Sequence, residues 1–319
     1  MPARANPGYT LQLPSPAHLI VIFMPPPQTA RGIALSVIAS MLFATMSAYT
    51  HWLAPLNGLD LFAWRILWTL PAVLAFIVWR GQGKALLEAL HMLSRQPLQA
   101  LMLVAMAAML GLQIWLFLWA SVNGRALEVS MGYFLLPLTM VLVGRFYYHE
   151  RLDIWQRLAV ACAMAGVLHE LWIAHAFSWP SLVVALGYPP YLVLRRRMAL
   201  NSLVLFTLEM LLLTPLALVA LAHSQSWDVV LARPALLLLL LPLLGLLSTL
   251  ALACYLGASN LLPLGLFGIL GYVEPILLVM VATLLLQESL TMAKLATYVP
   301  IWLAVGCTAI HSVRLMRQR

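Results

Sequence analysis

The sequence predicts an all-α polytopic membrane protein, with ten transmembrane helices in two inverted five-helix repeats. Three observations predict it. Hydrophobic residues fill 63% of the 319 positions and charged ones 9%, and mean hydropathy is +0.95. Soluble chains carry about a quarter charged residues, so too few polar side chains remain here to coat a water-facing surface. Ten apolar stretches approach or exceed the length that crosses a bilayer. Finally, Ala120-Ser121, Pro137, Glu150 and Leu152 recur 138 positions later as Ala258-Ser259, Pro275, Glu288 and Leu290. Duplication inside a hydrophobic chain points to transport.

A bilayer-crossing helix needs about 20 mostly apolar residues. The stretches are roughly 32–52, 61–80, 98–120, 127–147, 154–173, 178–194, 202–222, 235–257, 262–285 and 293–313. Backbone groups in lipid must bond internally, so each reads as helix. The connections between them are short and leave no room for a soluble domain. Ahead of the first span, Pro2, Pro7, Pro14, Pro16 and Pro25-Pro26-Pro27 oppose a long helix. Residues 1–30 therefore read as a disordered cytoplasmic tail, with a start of translation at Met24 as the alternative. Residues 31–174 form the first repeat and 175–319 the second, which ends in a short basic segment.

Basic residues orient the bundle. With the N-terminus inside, the inner face receives Arg31, Arg80, Lys84, Arg95, Arg145, Arg151, Arg157, Arg195-Arg196-Arg197, Arg314, Arg317 and Arg319. The outer face receives only Arg125, Arg233 and Lys294. This asymmetry puts both termini in the cytoplasm of a multi-pass cell (inner) membrane protein. Five spans per copy force the copies into opposite orientation, the geometry of alternating access around a central site. The net charge of +8 lies mostly in these loops, so it marks a membrane face and not a nucleic-acid partner. The expected partners are the lipid bilayer and a small-molecule solute, and lateral packing leaves a homo-oligomer open.

No cofactor or metal is expected. Cys162, Cys254 and Cys307 lie inside apolar segments, as small core residues. No Gly-x4-Gly-Lys-Ser/Thr phosphate loop occurs, and neither His149-Glu150 nor His169-Glu170 extends to a His-Glu-x-x-His zinc motif. These absences argue against an ATP-driven pump or a metalloprotease and leave no catalytic residues to assign. A channel or facilitator would rest on rings of like charge or carbonyl filters. An intramembrane transferase, relying on scattered polar groups, also stays open.

Charges inside the membrane are the first candidates, because each costs about 2.5–3.5 kcal/mol at a helix centre. Glu209 and Glu274 lie mid-span and are candidates for proton coupling or for binding a cationic group. A buried, protonated and hydrogen-bonded Glu209 is the structural alternative. Arg65, between Trp64 and Trp68, either snorkels to the headgroups or turns inward to an anionic group, a glutamate or the Trp68 face. Glu128 and Tyr133 open the fourth span, where a carboxylate also serves as a cap. Tyr191, Tyr272, Trp115 and Trp119 offer rings for stacking a solute, or simply pack. Pro137, Pro189, Pro190 and Pro275 are expected to break their helices. Glu150 and Glu288 read as caps on the helices that follow them.

Several runs carry a family resemblance: Arg31-Gly32, Trp64-Arg65-Ile66-Leu67-Trp68, Phe117-Leu118-Trp119-Ala120-Ser121-Val122-Asn123 and Glu150-Arg151-Leu152. To these add Leu127-Glu128-Val129-Ser130-Met131-Gly132-Tyr133-Phe134-Leu135-Leu136-Pro137-Leu138, Leu208-Glu209 and Thr214-Pro215. Together they resemble the RarD-type permeases of the EamA branch of the drug/metabolite transporter superfamily, over residues 31–315. The resemblance implies a ten-helix inner-membrane secondary carrier that exports small metabolites or drugs. Two features depart from the family pattern. The sixth span reaches only about 25 Å against a core of about 30 Å, and Glu274 stands where an uncharged residue is expected.

Overall fold

Each apolar stretch meets the same demand, that its backbone polar groups be satisfied within the segment, and helices meet it. The computed structural model describes residues 26–53, 55–122, 126–174, 179–198, 200–274, 277, 299–300, 302–303 and 306–307. Its helices are α1 (Pro26–Thr50), α2 (Gly58–Trp79), α3 (Gly83–Arg95), α4 (Pro97–Val122), α5 (Ala126–Phe146) and α6 (Ile154–Ala174). They continue with α7 (Trp179–Arg197), α8 (Ser202–Ala222), α9 (Ser226–Leu231), α10 (Leu241–Leu261) and α11 (Leu264–Leu270). A π-helical turn over Leu236–Leu240 leads into α10. Asn57 starts α2 by accepting from the amides of Leu59 and Asp60 at 2.9 Å, and Asn201 starts α8 by accepting from Leu203 at 2.9 Å.

Five helical segments are long and apolar enough to cross a membrane: Gln28–Met46, Gly58–Trp79, Pro97–Ala120, Ser202–Ala222 and Leu238–Leu261. Their outward faces expose Val78, Leu101, Leu216 and Val219, which belong in lipid. The fold is that of an all-α polytopic membrane protein. α1 packs on α10, and α2 lies between α8 and α10. α4 packs on α7 and α8, α5 on α7 and α11, and α6 flanks α5. The α2–α10 crossing is close because Gly245 has no Cβ; one there would run into the Trp68 backbone.

Several expectations are corrected. α1 begins at Pro26, so the last residues of the expected tail are helical, while residues 1–25 lie outside the described residues. The segment between the second and third spans is not a plain loop but α3. α7 has 19 residues, about 28 Å at 1.5 Å per residue, and it absorbs the arginine triplet. Pro189 and Pro190 do not break α7, and Pro137 does not break α5. A proline removes one donor and frees the carbonyl four residues earlier. For Pro189 that carbonyl is Ala185, and Thr139 Oγ1 donates to it at 2.7 Å. Gln113 Nε2 braces the same stretch by donating to Val183 O at 2.7 Å. The ninth span is interrupted at Gly271-Tyr272, after which Val273-Glu274 is again helical. Pro275, Glu288 and most of the last two spans lie outside the described residues.

Candidate functional site

α7 and α8 are joined by a short link, and Asn201 caps the start of α8. Arg195 lies in the last turn of α7 and Glu209 two turns into α8, and the long arginine side chain spans the difference. Arg195 Nη1 donates to Glu209 Oε2 at 2.7 Å, and neither side chain is exposed. Tyr191 Oη donates to the same carboxylate oxygen at 3.2 Å and accepts from Arg195 Nη1 at 3.0 Å. Arg195 Nη2 donates to Ser202 O at 2.5 Å. Glu209 is thus paired, with a partner the sequence placed at the inner membrane face. Arg195 is an interior residue, and Tyr191 is wholly buried against the pair.

A second cluster lies in the centre of the bundle. Tyr133 of α5, Tyr188 of α7 and Tyr255 of α10 are partly exposed although they pack against the buried core. Their rings run in sequence, with Tyr133–Tyr188 centroids 6.5 Å apart, Tyr188–Tyr255 at 6.2 Å and Tyr255–Phe267 at 4.8 Å. Tyr191 joins this ladder at 6.4 Å from Tyr188. Arg65 is buried and turned inward, with Nε donating to Ser248 Oγ of α10 at 2.9 Å. This excludes snorkelling, and the backbone of Trp68 lies close to Gly245 of α10. Glu274 is partly exposed, and the charges of Arg65 and Glu274 both bear on Tyr133 and Tyr188. One cation, one carboxylate and a ladder of tyrosine rings therefore lie in one neighbourhood within the bundle.

Tyr272 does not join it. It packs with Val141, Ala159, Ala163, Val167 and Ile269 on the α5–α6 side. Near-helical backbone turns successive residues by about 100°, so Tyr272 and Glu274 point in largely opposite directions. Glu128 sits in the first turn of α5, and its side chain is outside the described residues. Trp115 and Trp119 stack on each other 5.6 Å apart, and Trp119 meets Trp179 at 5.6 Å, so they form an aromatic seam between α4 and α7. Sequence reasoning missed Tyr188, Tyr255, Ser248 and Arg195. Of these only Arg195 carried a local signal, its spacing from Tyr191 on one helix face.

At the arginine-rich end, Glu150 is a cap, but not of α6. Its Oε1 accepts from Leu264 N at 2.7 Å and its Oε2 from Gly265 N at 2.8 Å, at the start of α11. Arg196 Nη2 donates to Ser259 O at 2.5 Å and Leu262 O at 2.6 Å, at the end of α10. The anion at a helix start and the cation at a helix end both match the helix dipole. Tyr148 stacks under Arg196, its ring centroid 5.2 Å from the guanidinium carbon. Burial holds the Tyr148 hydroxyl above its ordinary pKa against the pull of Arg196, so it stays neutral. A Cβ at Gly144 would stand 2.6 Å from Glu150 Oε2 and 2.8 Å from Gly265 N, so only glycine admits this approach.

The profile of the EamA-like transporter family matches residues 30–169. The chain is similar to the chloramphenicol-sensitive protein RarD of Pseudomonas aeruginosa, at 50% identity over 91% of this chain and 97% of that one. It also resembles an uncharacterized transporter of Pasteurella multocida, 42% identical over 81% and 88% of the two chains. Protein RarD of Escherichia coli is 28% identical over 91% and 98%. A solved crystal structure at 19% identity superposes with a TM-score of 0.65 over 88% of this chain and 98% of its own, and it shows the same fold. The span pattern and these relatives agree: the chain belongs to the EamA-like transporter family as a RarD-type permease, a membrane transporter of the drug/metabolite superfamily.

Proposed function

We propose that the chain is a secondary carrier that exports a small metabolite or drug by alternating access. The single observation that carries this reading is the buried Arg65, turned inward to Ser248 of α10, in the neighbourhood of Glu274 and the Tyr133–Tyr188–Tyr255 ladder. Ten helices in two inverted repeats, residues 31–174 and 175–319, are part of the proposal. Taking α1, α2, α4, α5 and α6 as spans one to five, and α7, α8, α10 and α11 as six to nine, the helix contacts support it. Exchanging each span with its counterpart five later turns α1–α10 packing into α4–α7 and α2–α10 into α4–α8. The pairs α2–α8 and α5–α11 map onto themselves, so they lie on the two-fold axis. Arg65, Glu209 and Tyr133 sit on those helices, and Glu274 follows α11 directly. A site at the repeat interface is where inverted carriers hold their solute.

Both termini are placed in the cytoplasm of the inner membrane by the arginine asymmetry. Arg65 then receives an anionic group of the solute, the tyrosines flank its body, and Glu274 carries the coupling proton. Glu209, committed to Arg195, holds α7 and α8 together. Solute flux in proteoliposomes under an imposed pH gradient tests the assignment. Glu274→Gln should abolish gradient-driven flux while sparing exchange of solute for solute. Driven flux at the parental rate in that variant would remove Glu274 from the mechanism.

A further inference from the structure

α3 is a short helix with two unlike apolar flanks and one basic face, and the transport reading does not use it. On a helical wheel, Leu86, Ala89 and Leu93 lie together; Ala89 and Leu93 are buried, and Leu86 packs against the core. Lys84, Glu88, His91 and Arg95 form the opposite, exposed face. Leu87 and Leu90 occupy the edge between these faces and are 67% and 43% exposed. The edge is continuous with the lipid-facing surfaces of the adjoining helices, where Trp79 is 77% and Leu98 70% exposed. Arg80, its guanidinium 5.3 Å from the Phe76 ring centroid, adds a further cation beside this corner.

α3 starts four residues after α2 ends and stops one residue before α4 begins, so these neighbouring helices fix its depth at the bilayer surface. An amphipathic helix so placed lies in the interface plane, with its apolar edge at the headgroup–acyl boundary. Four groups, Arg80, Lys84, Arg95 and the titratable His91, then face the headgroup layer against one carboxylate, Glu88. We infer that α3 is an interfacial helix that seats Leu87 and Leu90 among lipid chains and recruits anionic phospholipid headgroups through Lys84 and Arg95. Basic side chains beside a membrane add attraction to anionic lipid that falls off within a Debye length.

The full chain tests this in vesicles of phosphatidylcholine with and without phosphatidylglycerol, with Cys162, Cys254 and Cys307 replaced by alanine. A fluorophore on Leu87→Cys should be quenched by lipids carrying a spin label high on the acyl chain, while one on Lys84→Cys should not. With the Leu87 label, spin-labelled phosphatidylglycerol should quench more than spin-labelled phosphatidylcholine. K84Q/R95Q should lower that preference at least about fivefold, the factor one basic residue near the surface supplies. Glu88→Gln should raise it, an opposite shift that a folding defect does not produce. A water-exposed Leu87 label, equal quenching by the two lipids, or a preference unmoved by K84Q/R95Q would each overturn the inference.

Discussion

Glu209→Leu separates a structural ion pair from a proton carrier. Arg195 would lose its 2.7 Å bond to the carboxylate and keep Tyr191 and the Ser202 carbonyl, in a site with no exposure. Removing one partner of a buried pair costs about 3–5 kcal/mol, because the other charge stays buried and uncompensated. The two remaining acceptors put this case near the lower end. Arg195→Met should cost a similar amount. The double variant removes both charges, and replacing a buried pair by apolar residues is often neutral or stabilising. It orphans the Tyr191 hydroxyl, worth about 1–3 kcal/mol, so Tyr191→Phe in the triple variant should restore stability. Reversible unfolding in mixed micelles measures the series. Glu209→Leu as stable as the parent, or a triple variant no better than the singles, would refute the pairing argument. The triple variant should also keep gradient-driven flux; its loss in a stable protein would return Glu209 to the proton path.

Three further outcomes follow from the same geometry. Glu150→Gln gives up charge-assisted bonds worth about 1.5–3 kcal/mol and should destabilise by up to that amount in the micelle assay; unchanged stability would show that the contact does not hold the start of α11. Thr139→Ala leaves the Ala185 carbonyl without its donor and should destabilise by about 1–3 kcal/mol in the micelle assay, whereas Thr139→Ser should not. Arg65→Lys keeps the charge but loses the Ser248 bond and the planar fork, so KM for the solute should rise about tenfold, and an unaltered KM would argue against contact with Arg65.

Helix boundaries from the second span to the seventh were legible because hydropathy and the bilayer impose one length scale; α8 ends where the apolar run ends. What escaped depends on partners distant in sequence. Pro189-Pro190 looked like a break because the donor that rescues Ala185 comes from Thr139, 46 positions away. Glu150 was readable as a cap, but its helix begins 114 positions later. Arg195 was hidden by company, since three adjacent arginines at a span end resemble a loop even when one of them points inward. α3 was hidden by its charges, which lower hydropathy and conceal the apolar flanks. Tyr188 and Tyr255 carried no local mark at all, because aromatic residues in apolar helices mostly pack. The pairing of Arg65 and Glu274 with one set of rings exists only in three dimensions.

The clasp at the arginine-rich end takes hold of main-chain atoms alone. Glu150 reads two amides and Arg196 two carbonyls of the segment they grip. The polar grip on the stretch from Ser259 to Gly265 is therefore on its backbone, with Gly265 leaving room for the carboxylate. Mutational tolerance should be lopsided as a result. Partly exposed Leu261 should tolerate change better than wholly buried Leu262, while a single methyl at Gly144 pushes into the carboxylate. The polar specificity of the contact resides in the grasping side chains, and the grasped segment answers with its backbone, while its own side chains serve the core.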